Sequence, residues 1–197
     1  KRGELHRLVK MAVENARASL TTERGQEDDT KDMLRRLQEK LGLKTSPRRI
    51  EAYDISNISG SLAVGSLVMF ENGKPLKDGY RRFKIKDADG RDDCGMMYEV
   101  FYRRFSEAWD NPDLVIVDGG KGQLNAALKA LEEKGKRIDA VSFAKGEDEK
   151  VYVPHVKNPI SLKEGSGELL FLQRIRDEAH RFAVSYNIKL REKRDLS

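Results

Sequence analysis

The sequence predicts an α/β fold on a mixed sheet, with three antiparallel strands followed by parallel additions and helices on both faces. Three observations carry this expectation. Between Arg48 and Lys86 three strand-like stretches follow one another through short turns, which makes an antiparallel meander. From Asp92 onward helical and strand patterns alternate, which adds strands in parallel through right-handed crossovers. Between them, "LVIV" at Leu114–Val117 is an uninterrupted apolar run of the kind buried on both faces, and it leads straight into "DGGKGQ".

Taken in order, the first segment carries a helical stripe of Leu5, Leu8, Val9, Ala12, Val13, Ala16 and Leu20. The polar run "TTERGQEDDT" is expected to end it. A second short helix then presents Met33, Leu34, Leu37 and Leu41, stopping near Gly42. Residues 1–47 are therefore expected to form a helical arm, and residues 48–197 the main domain. In that domain "RRIEAYDIS" alternates, with Ile50, Ala52 and Asp54 on one face and Tyr53 and Ile55 on the other. "SLAVGSLVMF" is a longer strand whose exit, "ENGKP", holds the hairpin signal Asn72-Gly73. "GYRRFKIK" returns. "DDCGMMYEVFYRRFSEAW" is read as helix on the stripe Met96, Met97, Val100, Phe101, Phe105 and Ala108. The strand Leu114–Val117, a helix from Gly122 to Lys134 and the strand "DAVSFAKG" come next. An irregular stretch from Lys150 to Gly167 has room for two short strands, and a helix from about Gly167 through Leu190 closes the chain.

Composition narrows the function classes. No apolar run approaches the roughly 20 residues that span a bilayer, so a soluble protein is expected. A single cysteine, Cys94, allows neither an internal disulfide nor a cysteine metal cluster, which fits a reducing cytoplasm. The sequence opens on Lys1 with no signal or transit pattern, so a piece of a longer chain is expected. Lys and Arg total 38 against 33 acids, a net charge of +5. The basic residues cluster at Arg81-Arg82, Arg103-Arg104, Arg174 to Arg181 and Lys189 to Arg194, a pattern that suits a polyanion, though surfaces dense in both signs also occur in heat-adapted proteins.

Three residues carry the chemistry. Asp118 ends an apolar strand just before two glycines: it either serves the turn or is aimed at a cation or phosphate from the carboxyl end of a central strand. Asp54 sits on the buried side of the first strand, where a carboxylate is costly unless paired or metal-bound; taken alone it is expected to hydrogen-bond Ser56 or a nearby backbone group, and a second acid at a matched strand position favours a cation. If the first strand lies beside the strand ending in Asp118, both acids share one end of the sheet, and a hard cation such as Mg²⁺ or Mn²⁺ suits their oxygens. His180 lies among Arg174, Arg176, Asp177, Glu178 and Arg181, a charge density that ordinary core helices avoid. It is read as a metal ligand or a proton-transfer group. Lys121 and Lys145, at strand ends, and Arg174 and Arg181, on the last helix, are candidate phosphate contacts. "DGGKGQ" does not match a nucleotide phosphate loop, because the spacing differs and no hydroxyl follows the lysine.

"YDISNISG", "GRDDCGMM", "VDGGKGQLNAAL", "FAKGEDE" and "LLFLQRIRDEAHRFAVSYNIKLREKR" resemble the C-terminal endonuclease half of the UvrC family, from about Arg48 to Arg194. The resemblance implies an RNase H-like fold and metal-dependent cutting of DNA on the 5′ side of a lesion in bacterial nucleotide excision repair. It implies Asp54 and Asp118 as catalytic carboxylates and His180 as the third member. Asp93 matches a further acid in the family's "DDY" motif, with Cys94 in place of the aromatic, and Asn57 stands where many relatives have His. It also implies a damaged duplex or bubble as substrate and the damage-recognition proteins UvrB and UvrA as partners. The family's "GIY-YIG"-like nuclease and tandem helix-hairpin-helix modules have no counterpart in this sequence. The competing expectation is a catalytically inactive nucleic-acid or protein-binding module on the same fold.

Overall fold

The computed structural model describes residues 2–58, 62–86, 92–144 and 149–195. Among these residues seven strands form one mixed sheet. The strands are β1 (Arg49–Ile58), β2 (Leu62–Glu71), β3 (Lys74–Pro75), β4 (Arg81–Lys84), β5 (Leu114–Asp118), β6 (Asp139–Ala144) and β7 (Lys150–Tyr152). The order is β3-β2-β1-β5-β6-β7, with β4 also on β2. β1 and β2 pair antiparallel over their full length, while β5 and β6 add in parallel. The expected mixed sheet is thus observed, with β1 central and β5 beside it. β7 departs from the parallel expectation: it pairs antiparallel with β6, as two strands separated by a short connection must. Of the two short strands foreseen after Lys150, the second is a single bridge between Val151 and Ile160.

Asn72 and Gly73 both take positive φ, 47° and 76°, the geometry of a two-residue hairpin that follows the strand twist. The return is split. β3 pairs only with Phe70 and Glu71, a 3₁₀ turn at Lys77–Gly79 intervenes, and β4 rejoins β2 opposite Val64–Leu67. Pro75, which lacks an N–H, marks where the ladder breaks.

The strand period of two sends side chains to two separate cores. On one face Ile50, Ala52, Val68, Phe70, Leu114 and Ile116 pack against Leu34, Leu37 and Leu41 of α1 (Arg2–Leu41) and Leu172, Ile175 and Ala179 of α4 (Gly167–Asp195). On the other, Tyr53, Leu67, Val115 and Val117 pack against Met96, Met97, Val100 and Phe101 of α2 (Asp93–Arg104) and Leu124, Ala127 and Leu131 of α3 (Lys121–Glu133). Helices therefore cover both faces, as expected. α2 is shorter than its stripe implied, ending at Arg104 with Phe105 as its C-cap.

The largest departure is α1. Two helices separated by a polar break were expected, and one helix runs from Arg2 to Leu41. "TTERGQEDDT" holds only four good helix formers, Glu23, Arg24, Gln26 and Glu27, but two of its hydroxyls satisfy themselves within the helix: Thr21 Oγ1 donates to the Arg17 carbonyl at 2.9 Å and Thr30 Oγ1 to the Gln26 carbonyl at 2.8 Å. Of the first stripe, Val9, Val13 and Leu20 are exposed. The last turns of α1 are fastened to the start of α4, where buried Glu168 accepts from Arg36 Nε at 2.8 Å and faces Lys40 Nζ at 3.6 Å.

Candidate active site

Asp54 follows Ala52 by two residues and Asp118 follows Ile116 by two, so both acids point to the face covered by α4. The β1–β5 ladder pairs Tyr53 with Val117, and the next residue on each strand is the acid. Two carboxylates thus lie side by side at the end of the parallel ladder. Asp54 is buried, and Asp118 is partly exposed.

Asp118 does not serve the turn that follows it. Gly120 is the N-cap of α3, and its N–H donates to Gln123 Oε1 at 2.7 Å. Gly119 has φ 150°, and a Cβ there would fall 2.2 Å from Gln123 Oε1. The glycine thereby admits the side chain that closes the helix start, leaving Asp118 unused by the backbone.

The electrostatics follow from this placement. The Asp118 carboxyl is pushed up to about 6, first by burial, then by the negative charge of Asp54 and a hydrogen bond with it; Arg176 and His180 pull the other way. Ser56 Oγ donates to Asp54 Oδ2 at 2.6 Å. His180 Nδ1 stands 3.9 Å from Asp54 Oδ1 with 66% of its side chain exposed, at the rim of the site. Arg176, one helical turn before His180, is held by Glu149 at 2.6 Å and Asp177 at 3.0 Å, with its guanidinium over the Phe143 ring at 5.1 Å. Gln173 Nε2 donates to the other Glu149 oxygen at 2.5 Å.

Three of the expected site residues, Asp54, Asp118 and His180, are therefore brought together. The others stand apart from the pair. Asp93 is exposed in the first turn of α2. That turn reaches the same end of the sheet, since Cys94 Sγ lies 3.1 Å from where a Cβ on Gly122 would be, but Asp93 is not among the groups acting on Asp118. Lys121 Nζ donates to the carbonyls of Val156 and Lys157 at 3.4 and 3.2 Å. Arg174 donates to the Gly73 carbonyl and lies near the rings of Phe70 and Phe171, at the far end of β1 from Asp54. Arg181 is paired to Glu178 through two bonds of 2.7 and 2.6 Å. Lys145 falls outside the described residues.

The Ser56–Asp54 bond was expected from the sequence, whereas Arg176 and Glu149 were not assigned to the site. Arg176 carried a usable signal, because its i, i+4 spacing to His180 places both on one helical face. Glu149 carried none, since its relation to Arg176 is made by the fold.

Among the described residues no three His, Cys, Asp or Glu side chains form a ready-made metal site. The pair nevertheless fits a hard divalent ion. Mg²⁺ is usually held by one or two carboxylates and keeps several waters, and a cation between Asp54 and Asp118 would remove the like-charge repulsion that raises Asp118.

Residues 38–184 match the family model described as the UvrC RNase H endonuclease domain. "UvrABC system protein C" from Syntrophus aciditrophicus is 44% identical over 96% of this chain and 33% of its own length. The protein of that name from Trichlorobacter lovleyi is 45% identical over 100% of this chain and 36% of its own. The chain spans about a third of the length of these relatives. A crystal structure of Ciona intestinalis endonuclease V with inosine-containing DNA superposes with a TM-score of 0.49 at 13% identity, covering 84% of this chain and 98% of that one.

Proposed function

Because this chain belongs to the UvrC RNase H endonuclease domain family, we propose that it is a divalent-metal-dependent DNA endonuclease that makes the 5′ incision beside a lesion in nucleotide excision repair. The observation that carries the reading is that Asp54 and Asp118 directly follow the last pair of the parallel β1–β5 ladder, Tyr53 with Val117, with His180 brought over them by α4.

Asp54 and Asp118 would hold Mg²⁺ or Mn²⁺, which when bound supplies positive charge for the phosphodiester and lowers the pKa of a bound water. The chain's own residues do the rest. Ser56 fixes the rotamer of Asp54 through its 2.6 Å bond. His180, exposed at the rim 3.9 Å from Asp54, accepts or returns a proton at the scissile phosphate. Arg176 offsets part of the negative charge of the acids and keeps its own place through Glu149. Lys121 and Arg181, both exposed, contribute salt-dependent contacts to the DNA backbone after exchanging their present partners for phosphate. The substrate is a damaged duplex or bubble, delivered by the recognition proteins UvrB and UvrA. Among the described residues no helix is long and apolar enough to cross a membrane, and the site of action is the cytoplasm, where the chromosome lies.

A 5′-end-labelled bubble duplex incubated with the chain over a MgCl₂ or MnCl₂ titration tests this. Product on the 5′ side of the bubble is expected only with metal, and Asp118→Ala should abolish it. DNA binding with no product at any metal concentration would replace the reading with an inactive binding module.

A further inference from the structure

Among the described residues two serine hydroxyls, those of Ser66 and Ser142, are buried and have no hydrogen-bond partner. Leaving a hydroxyl so carries the full cost of its desolvation, and alanine would fill either place without that cost. Their positions in the sheet differ. Ser142 is paired with Val117 and lies on the α2–α3 face, two residues from Ala140, among apolar side chains. Ser66 is directly opposite Asp54 in the antiparallel β1–β2 ladder and shares its face, two residues before Val68. Asp118, Asp54 and Ser66 therefore form one row across three adjacent strands. Directly opposed side chains in such a ladder are about 4.5–5.5 Å apart at Cβ, so a rotation of the serine brings its hydroxyl to the carboxylate.

We propose that Ser66 is a positioning residue for Asp54, its hydroxyl donating to that carboxylate when a divalent cation takes its place between Asp54 and Asp118. The inference rests on the endonuclease reading above and extends it. Ser56 holds Asp54 from along its own strand, at 2.6 Å, and Ser66 holds it from across the ladder. A divalent cation held by Asp54 and Asp118 would leave Asp54 lone pairs free to accept from both hydroxyls, one along its strand and one across the ladder. Such outer-shell donors orient metal-binding carboxylates and raise affinity.

The test is Mn²⁺ binding by the chain without DNA, followed by loss of the free-ion electron paramagnetic resonance signal. Ser66→Ala should weaken Mn²⁺ binding about tenfold, while the metal-free melting temperature stays equal to or above that of the wild type. Ser142→Ala, which removes the other orphaned hydroxyl from the opposite face, should leave Mn²⁺ affinity unchanged. Ser56→Ala should weaken binding, and Ser56→Thr should restore it. Unchanged affinity in Ser66→Ala, or an equal loss in Ser142→Ala, overturns the assignment. Should Asp118→Ala itself bind Mn²⁺ like the wild type, the metal-site reading falls and takes Ser66 with it. If Asp118→Ala loses Mn²⁺ while Ser66→Ala keeps it, only the role of Ser66 is overturned.

Discussion

Two acids on β1, three residues apart, are buried on opposite faces of the same strand, and the protein treats them in opposite ways. Glu51 faces α2, where Arg104 donates to it at 2.6 and 3.1 Å and the Tyr53 hydroxyl at 2.5 Å, with both charged side chains fully buried. Asp54 faces α4, where its nearest charged neighbour on the sheet is another acid, Asp118. One face has neutralised its buried charge internally. The other holds two like charges together, an arrangement that favours a cation from outside the chain. That difference separates a structural ion pair from a functional site more clearly than burial alone does.

The comparison breaks most severely at Asp118. Asp118→Ala should abolish metal-dependent incision while the domain keeps or gains thermal stability, because the substitution relieves repulsion with Asp54. End-labelled cleavage and thermal melting on the same preparation check both halves. An active variant would place the chemistry elsewhere.

On the opposite face the expectation reverses. Arg104→Ala should cost about 3–5 kcal/mol of stability by stranding buried Glu51, whereas Glu51→Gln with Arg104→Met should cost far less, since replacing both partners leaves no unpaired charge. Urea melts of the two variants separate the outcomes. Incision by the folded fraction should be little affected, because Asp54, Asp118 and His180 lie on the other side of the sheet.

His180→Ala should lower incision by about a hundredfold or more, the usual worth of a proton-transfer group, with no loss of melting temperature. Its side chain is 66% exposed and fills no part of the core. Wild-type cleavage rates in this variant would reduce His180 to a bystander.

The smallest effect is on stability against pH. The folded Asp118 carboxyl is raised from 3.8 to about 6, so the folded state holds that proton more tightly than the unfolded chain does. The resulting penalty is absent below about 3.8 and complete above about 6. Without divalent ions, Asp118→Asn should therefore gain melting temperature over the wild type as pH rises through this window. Adding Mn²⁺ should shrink the gap by stabilising only the wild type. A pH-independent difference would mean that neither burial nor Asp54 raises the Asp118 carboxyl in the folded state.

Much of this was legible in the sequence because it depends on local chemistry. Alternation in "RRIEAYDIS" assigned Asp54 a face, the apolar run before Asp118 assigned it a buried strand, and Asn72-Gly73 marked its hairpin, all through the period of two and the backbone preferences of single residues. α1 was misjudged for a local reason too: a polar run reads as a break, but Thr21 and Thr30 satisfy themselves inside the helix and the chain does not stop there. Other features depend on register and docking, which no window of sequence contains. That Tyr53 pairs with Val117, and so sets Asp54 beside Asp118, is decided by which strands meet. That Arg174 is spent on the Gly73 carbonyl while Arg176, two residues on, acts on Asp118 is decided by how α4 crosses the sheet. Residue types and spacings determined most of the elements and named three candidate side chains. Only the pairing of β1 with β5 and the packing of α4 across them decided that those side chains meet, because a field between charges depends on their separation in space.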